Sequence, residues 1–191
     1  MARTREFDQD EVLDAALRVF WQKGYEATSL SDLLAATGLA RQSLYNAFGD
    51  KHALFLAALR RYVDKGIAQF ERTLENGPVR AAIRRVFETT SLAGVKRDCG
   101  CFLVNTTAEL LPHDPEVRRL VTSALARQER ALVEALRRGV REGELHLPPK
   151  RVEQTARFLV SALQGLRVMV KAMPDSPALR DTVAVALRAI D

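Results

Sequence analysis

Only two cysteines occur among the 191 residues, Cys99 and Cys101, and they lie too close in sequence for an ordinary structural disulfide. A disulfide-stapled secreted scaffold is thereby excluded, and a pair of free, reactive or ligating thiols is expected. No apolar run approaches the length of a membrane span, and the polar start from Met1 to Asp10 carries no signal-peptide core. A cytoplasmic protein with no membrane partner is therefore expected. The sequence also lacks a glycine-rich phosphate loop, a nucleophile elbow and zinc-type Cys/His spacing, so neither catalysis nor a resident cofactor or metal is expected. Glu109, His113 and Asp114 could be drawn into an acid–base set, yet the turn they occupy accounts for them as caps. Alternating strand patterns, internal repeats and low-complexity segments are absent as well.

An excess of positive charge is missing where it would be most telling. The chain carries a net charge of +5, but residues 1–65 hold nine basic and nine acidic side chains. The surplus lies in residues 66–191, with twenty basic against fifteen acidic. Any nucleic-acid argument must therefore rest on placed residues and not on bulk charge.

What the sequence does contain is helical periodicity nearly from end to end. Val12, Ala15, Ala16, Val19 and Phe20 fall on one helix face, between a cap at Asp8 (with Glu11 three residues on) and a stop at Gly24. Ser29-x-x-Asp32 opens a short helix on Leu30, Leu33 and Leu34, which Thr37-Gly38 ends. A second short helix runs from about Ala40 to Ala47. Asp50 caps a long helix with Phe55, Ala58, Leu59, Tyr62, Phe70 and Leu74 on its apolar face, and Asn76-Gly77-Pro78 breaks it. Beyond lie a helix to about Val95, a corner from Asp98 to Cys101, and a short helix ending near Leu111. A charged helix then starts at Asp114-Pro115 and ends near Gly143, followed by helices from Pro148-Pro149 and Ser176-Pro177. The pattern predicts an all-α chain of about nine helices.

The long, short, short order near the N-terminus describes a helix-turn-helix. Its third helix must pack one side and present polar groups on the other to enter a major groove. Leu39, Leu44, Ala47 and Phe48 supply the packing side, leaving Arg41, Gln42, Ser43, Tyr45 and Asn46 outward. Arg and Gln suit base edges, Ser and Tyr often take phosphates, and Lys51 opens the next helix where free N–H groups and its ammonium can hold a phosphate.

Over residues 8–60 the sequence resembles the TetR family of repressors. The residues that carry the likeness are Ala15-Ala16, Phe20, Gly24-Tyr25, Thr28, Leu33, Gly38-Leu39, the run from Ser43 to Lys51, and Leu54-Phe55. The resemblance implies a homodimer on a palindromic double-stranded operator, released by an effector. It implies a phosphate clamp of Thr28, Tyr45 and Lys51, with Arg41, Gln42 and Ser43 reading bases. Ala40 stands where the family often has a capping Ser or Thr, and Asn46 stands in place of a common His. The Arg3-Thr4-Arg5 arm could also reach a groove or phosphate. The expected organisation is a DNA-binding domain over 1–50 and a sensing and dimerisation domain over 51–191, bridged by the long helix.

The last two helices are expected to pair with a second subunit. Val152, Ala156, Leu159, Val160, Leu163 and Val170 line one, with Ser161, Ala162 and Gly165 small enough for close approach; Leu179, Val183, Ala186, Leu187 and Ile190 line the other. The stretch from Cys99 to Thr106, with Glu109-Leu110 and His113 to Pro115, resembles a subgroup in which a cysteine senses electrophiles or oxidants. Cys101 would sit at a helix start where the macrodipole, with Lys96 and Arg97, favours a thiolate; Cys99 is a second candidate, and both also suit plain burial. Phe87, Phe102, Phe158, Leu163 and Met169 are candidate walls of a pocket for an organic effector, or plain core. Two other readings stay open: the same fold sensing a metal such as Cu(I) through the cysteines and His113, or a helical adaptor that does not bind DNA.

Overall fold

The computed structural model describes residues 7–91, 99–174 and 176–191. Among them are nine α-helices and no strand: α1 (Gln9–Lys23), α2 (Leu30–Thr37), α3 (Arg41–Phe48), α4 (Lys51–Glu75), α5 (Val79–Ser91), α6 (Phe102–Leu110), α7 (Pro115–Arg141), α8 (Pro149–Ala172) and α9 (Pro177–Arg188). The Arg3 to Arg5 arm, the end of the fifth helix toward Val95, and Lys96, Arg97 and Asp98 lie outside the described residues. None of the described helices is long and apolar enough to cross a membrane.

Local chemistry sets most of the starts. The Asp8 carboxylate accepts from the Asp10 N–H at 2.8 Å, and Asp50 accepts from the Ala53 N–H at 2.7 Å. Ser29 and Asp32 form a reciprocal capping box. Asp114 accepts from the N–H groups of Glu116 and Val117, with Pro115 fixing the first turn. Each such cap contributes about 1 kcal/mol to its helix. By contrast, α3 begins at Ala40 with no side-chain cap, as its sequence implies. The start of α5 is closed from a distance: the Val79 and Arg80 N–H groups donate to the carboxylate of Glu144, beyond α7.

Two apolar clusters result, and α4 and α7 run through both. The upper one packs Phe87 of α5, Leu132 and Leu136 of α7, Leu159, Leu163 and Leu166 of α8, and Leu179 and Leu187 of α9 against the end of α4. The lower one joins Phe20 of α1, Leu33 of α2 and Leu44 of α3 to Leu54, Phe55 and Leu59 of α4. It also includes Cys101, Phe102 and Leu103 at the start of α6 and Val117 and Val121 of α7. The three-helix head and α6 thus share one core. An aromatic chain runs through it: Phe20–Phe55 at 5.1 Å, Phe55–Phe102 at 5.7 Å, Phe102–Tyr62 at 5.6 Å and Tyr62–Trp21 at 5.1 Å between centroids.

Candidate nucleic-acid interface and cysteine site

α2 and α3 meet at a sharp turn because Gly38 adopts φ +68°, a left-handed conformation that a side chain would strain. The turn seats Leu44 in the core, with Leu39 and Phe48 packed against it. The opposite side of α3 is polar, with Arg41, Gln42 and Asn46 exposed and Ser43 and Tyr45 half-buried. The Arg41 guanidinium lies 5.6 Å from the Tyr45 ring centroid, and the Gln42 amide donates to Asn46 Oδ1 at 2.8 Å. Lys51, at the first turn of α4, sets its ammonium 4.4 Å from the Tyr25 ring centroid and donates to the Glu26 carbonyl at 3.5 Å. These contacts leave α3 a solvent-facing row of donors and acceptors beside a cation at a helix start.

Thr28 stands apart from the others expected there. Its relative exposure is 1%, and its hydroxyl donates to the Gly24 carbonyl at 2.5 Å. Turned inward, it closes the α1–α2 turn and presents no hydroxyl to a phosphate.

Cys101 is the N-cap residue of α6, makes no capping hydrogen bond, and is 6% exposed. The Tyr62 hydroxyl of α4 donates to its Sγ at 3.5 Å. Burial pushes the Tyr62 pKa up and the neighbouring thiol pushes it further, so Tyr62 remains a donor. Cys99 is half-buried and its carbonyl accepts from the Asn105 amide at 2.7 Å; both cysteines are free thiols. A cavity of about 60 Å³ adjoins Cys101, and Tyr62, Gln128 and Arg167 supply its other polar walls.

Two expectations about this region are corrected. Phe87, Leu163 and Met169 belong to the upper cluster and Phe102 to the lower one, while Phe158 is 45% exposed. The five do not converge, and none lines the cavity beside Cys101. Nor do Cys99, Cys101 and His113 gather: among the described residues no three His, Cys, Asp or Glu side chains could hold a metal ion. The reason is geometric, since Cys101 and His113 lie beyond opposite ends of α6, roughly 13 Å of helix.

The contacts joining head to body escaped sequence reasoning. At one end of α6 the Trp21 indole N–H donates to the Gly100 carbonyl at 3.0 Å. At the other, the Glu109 carboxylate accepts from the Tyr25 N–H at 3.1 Å and the Glu26 N–H at 2.9 Å. Gly24 permits that approach, because a Cβ there would stand 3.0 Å from both Glu109 oxygens. His52 Nε2 lies 2.7 Å from Asp114 Oδ2, tying the start of α4 to the start of α7. Burial raises the Asp114 pKa, but the Val117 and Glu116 N–H groups and His52 outweigh it and hold the carboxyl below its usual range. Arg61 of α4 grips Asp14 of α1 at 2.7 and 3.1 Å and Asp10 at 2.6 Å. Only Glu109 and Asp114 carried any sequence signal, as polar residues flanking a turn.

On the far side of the body, Phe158, Ser161, Gly165 and Val168 form an exposed stripe along α8, Val168 being 54% exposed. Met173, the residue that ends α8, and Val185 of α9 are exposed as well.

A short helix braced by another and offering a polar face defines a helix-turn-helix protein with an all-helical body. Residues 12–58 match the tetR family of bacterial regulatory proteins, and residues 78–186 match the tetracyclin repressor-like C-terminal domain. The chain belongs to the tetR family of transcriptional regulators. It is 38% identical to the uncharacterised HTH-type transcriptional regulator YezE of Bacillus subtilis, with 100% of each chain covered. It is 35% identical to the HTH-type transcriptional repressor ComR of Escherichia coli, over 97% of this chain and 90% of ComR. Among solved structures, a cysteine mutant of the TetR family regulator CifR complexed with 26-base-pair operator DNA superposes with a TM-score of 0.81, 31% identity and 100% of both chains covered.

Proposed function

We propose that this chain is a homodimeric transcriptional repressor that binds a palindromic operator through α3 and releases it when Cys101 reacts with an oxidant or electrophile. The observation that carries the DNA-binding part is the two-sided α3, with Leu44 buried and Arg41, Gln42 and Asn46 exposed beside Lys51. ComR is named a repressor and the CifR mutant is complexed with operator DNA, which favours the same roles here. Base edges fall to Arg41, Gln42 and Ser43, and phosphates to Tyr45, Asn46 and Lys51. The exposed Phe158 and Val168 of α8, with the small Ser161 and Gly165 between them on the same helix face, support pairing of two copies, since large exposed apolar side chains grouped on one face mark an interaction surface. The thiol switch is supported by the place of Cys101: it is the N-cap residue of α6, a helix bonded to the head at both ends through Gly100 and Glu109. The test is binding to the DNA upstream of its own gene, with and without a thiol-reactive oxidant, in wild type and Cys101→Ser. Release in wild type and retention in the variant is expected. Equal release in both would refute the role of Cys101, and binding with no sequence preference would refute the role of α3.

A further inference from the structure

The Lys51 ammonium is held by neutral groups and not by an acid. It lies 4.4 Å from the centroid of the Tyr25 ring and donates to the Glu26 carbonyl at 3.5 Å. Asp50 precedes it in the chain, but the Asp50 carboxylate caps α4 through the Ala53 N–H. Among the described residues the Lys51 ammonium forms no ion pair, so its charge stays uncompensated. The ring that holds it is itself fixed. Tyr25 meets Phe55 at 4.9 Å and His52 at 6.1 Å between centroids, both edge to face, and stacks with Phe20 at 6.2 Å. The Tyr25 and Glu26 N–H groups donate to the Glu109 carboxylate of α6. This two-residue stretch is thus anchored to the body through its N–H groups, and it holds Lys51 through a ring and a carbonyl.

We infer that Tyr25 is a positioning residue for operator binding: its ring holds the Lys51 ammonium in place for a DNA phosphate. The inference rests on the phosphate contact proposed for Lys51 and adds how that cation is placed. A lysine side chain moving freely in solvent loses rotamer freedom when a phosphate captures it, whereas one already held against a ring loses less. The ring quadrupole attracts the cation without neutralising it. A carboxylate in the same place would pair with the ammonium and compete with the phosphate. Placement carries particular weight in this head, because residues 1–65 hold equal numbers of basic and acidic side chains and supply no surplus charge to attract DNA. The Tyr25 ring itself needs no contact with DNA to act in this way.

The experiment is a double-mutant cycle on the full chain, with operator affinity read by fluorescence anisotropy at fixed salt for Tyr25→Leu, Lys51→Gln and the two combined. A partly exposed ring–cation contact contributes about threefold to an equilibrium constant. Two heads act in the dimer, so Tyr25→Leu should weaken operator binding roughly tenfold. Tyr25→Phe, which keeps the ring, should restore most of that affinity. With Lys51→Gln already present there is no ammonium to place, and Tyr25→Leu should then weaken binding by less than about twofold. Tyr25→Met, a more adaptable side chain, repeats the cycle where leucine unfolds the head. An equal loss in both backgrounds would show that Tyr25 acts through the fold alone and overturn the inference. Wild-type affinity in Tyr25→Leu, or a phenylalanine variant as weak as the leucine one, would overturn it too. Lys51→Gln with wild-type affinity and salt slope would instead remove the phosphate contact itself, and the inference with it.

Discussion

Replacing Glu109 by alanine removes the carboxylate that holds the turn after α1 against α6. Two backbone N–H groups, those of Tyr25 and Glu26, lose their acceptor, at 3.1 and 2.9 Å respectively. Hydrogen bonds to a charged group contribute about 1.5–3 kcal/mol each when buried. Glu109 is half-buried, so screening by solvent reduces the loss for the pair to roughly 2 kcal/mol. In a chain of this size, that lowers the melting temperature by roughly 4–8 °C. The local signature is sharper than the global one. Amide hydrogen exchange at Tyr25 and Glu26 should accelerate by roughly tenfold or more, because these amides become free to open without the rest of the core. Glu109→Gln keeps one acceptor oxygen and should fall between. The same variant should bind operator with its head less firmly oriented and show a smaller ratio of affinities before and after Cys101 oxidation. Unchanged exchange at both amides, with an unchanged melting temperature, would refute the idea that this carboxylate fastens the head to the body.

Lys51→Ala should weaken all DNA sites about equally and reduce the salt dependence of binding by about one ion per head, while Gln42→Ala should alter sequence preference at a cost of about 1–3 kcal/mol. Fluorescence anisotropy against operator and scrambled DNA over a salt series separates the two, and an unaltered salt slope in the lysine variant would contradict the phosphate contact. The Asp14 carboxyl is held at about 2, first by the hydrogen bond from Arg61 and also by Lys65, against an opposing effect of burial. A carboxyl depressed in the folded state stabilises the fold above its ordinary value of 3.8, and that stabilisation fades as pH falls toward about 2. Asp14→Asn should therefore be less stable than wild type near neutrality, with urea midpoints that converge in acid. A constant difference across that range would contradict the ion pair. Phe158→Arg should convert the dimer to monomers in sedimentation velocity without changing helicity, and a persistent dimer would remove α8 from the interface.

Most of the helices were legible in the sequence because their determinants lie within one helical turn. Ser29 with Asp32, Asp50 with Ala53, and Asp114 with Pro115 each act over at most three residues, so a local pattern suffices to place them. The same holds for the bare start of α3 at Ala40 and for the burial of Leu44 opposite Arg41, Gln42 and Asn46, which helical periodicity dictates. The tertiary structure alone decided which side chains meet across the chain. Glu109 reaches residues 83 and 84 positions away, His52 meets Asp114 across 62, and the Tyr62 hydroxyl finds Cys101 across 39. These pairings depend on how far each helix is rotated about its axis and where it crosses its neighbours, quantities settled by packing of the whole core and not by any short stretch. For the same reason Thr28 turned inward and Phe158 outward, although each residue type in its local pattern permitted the opposite.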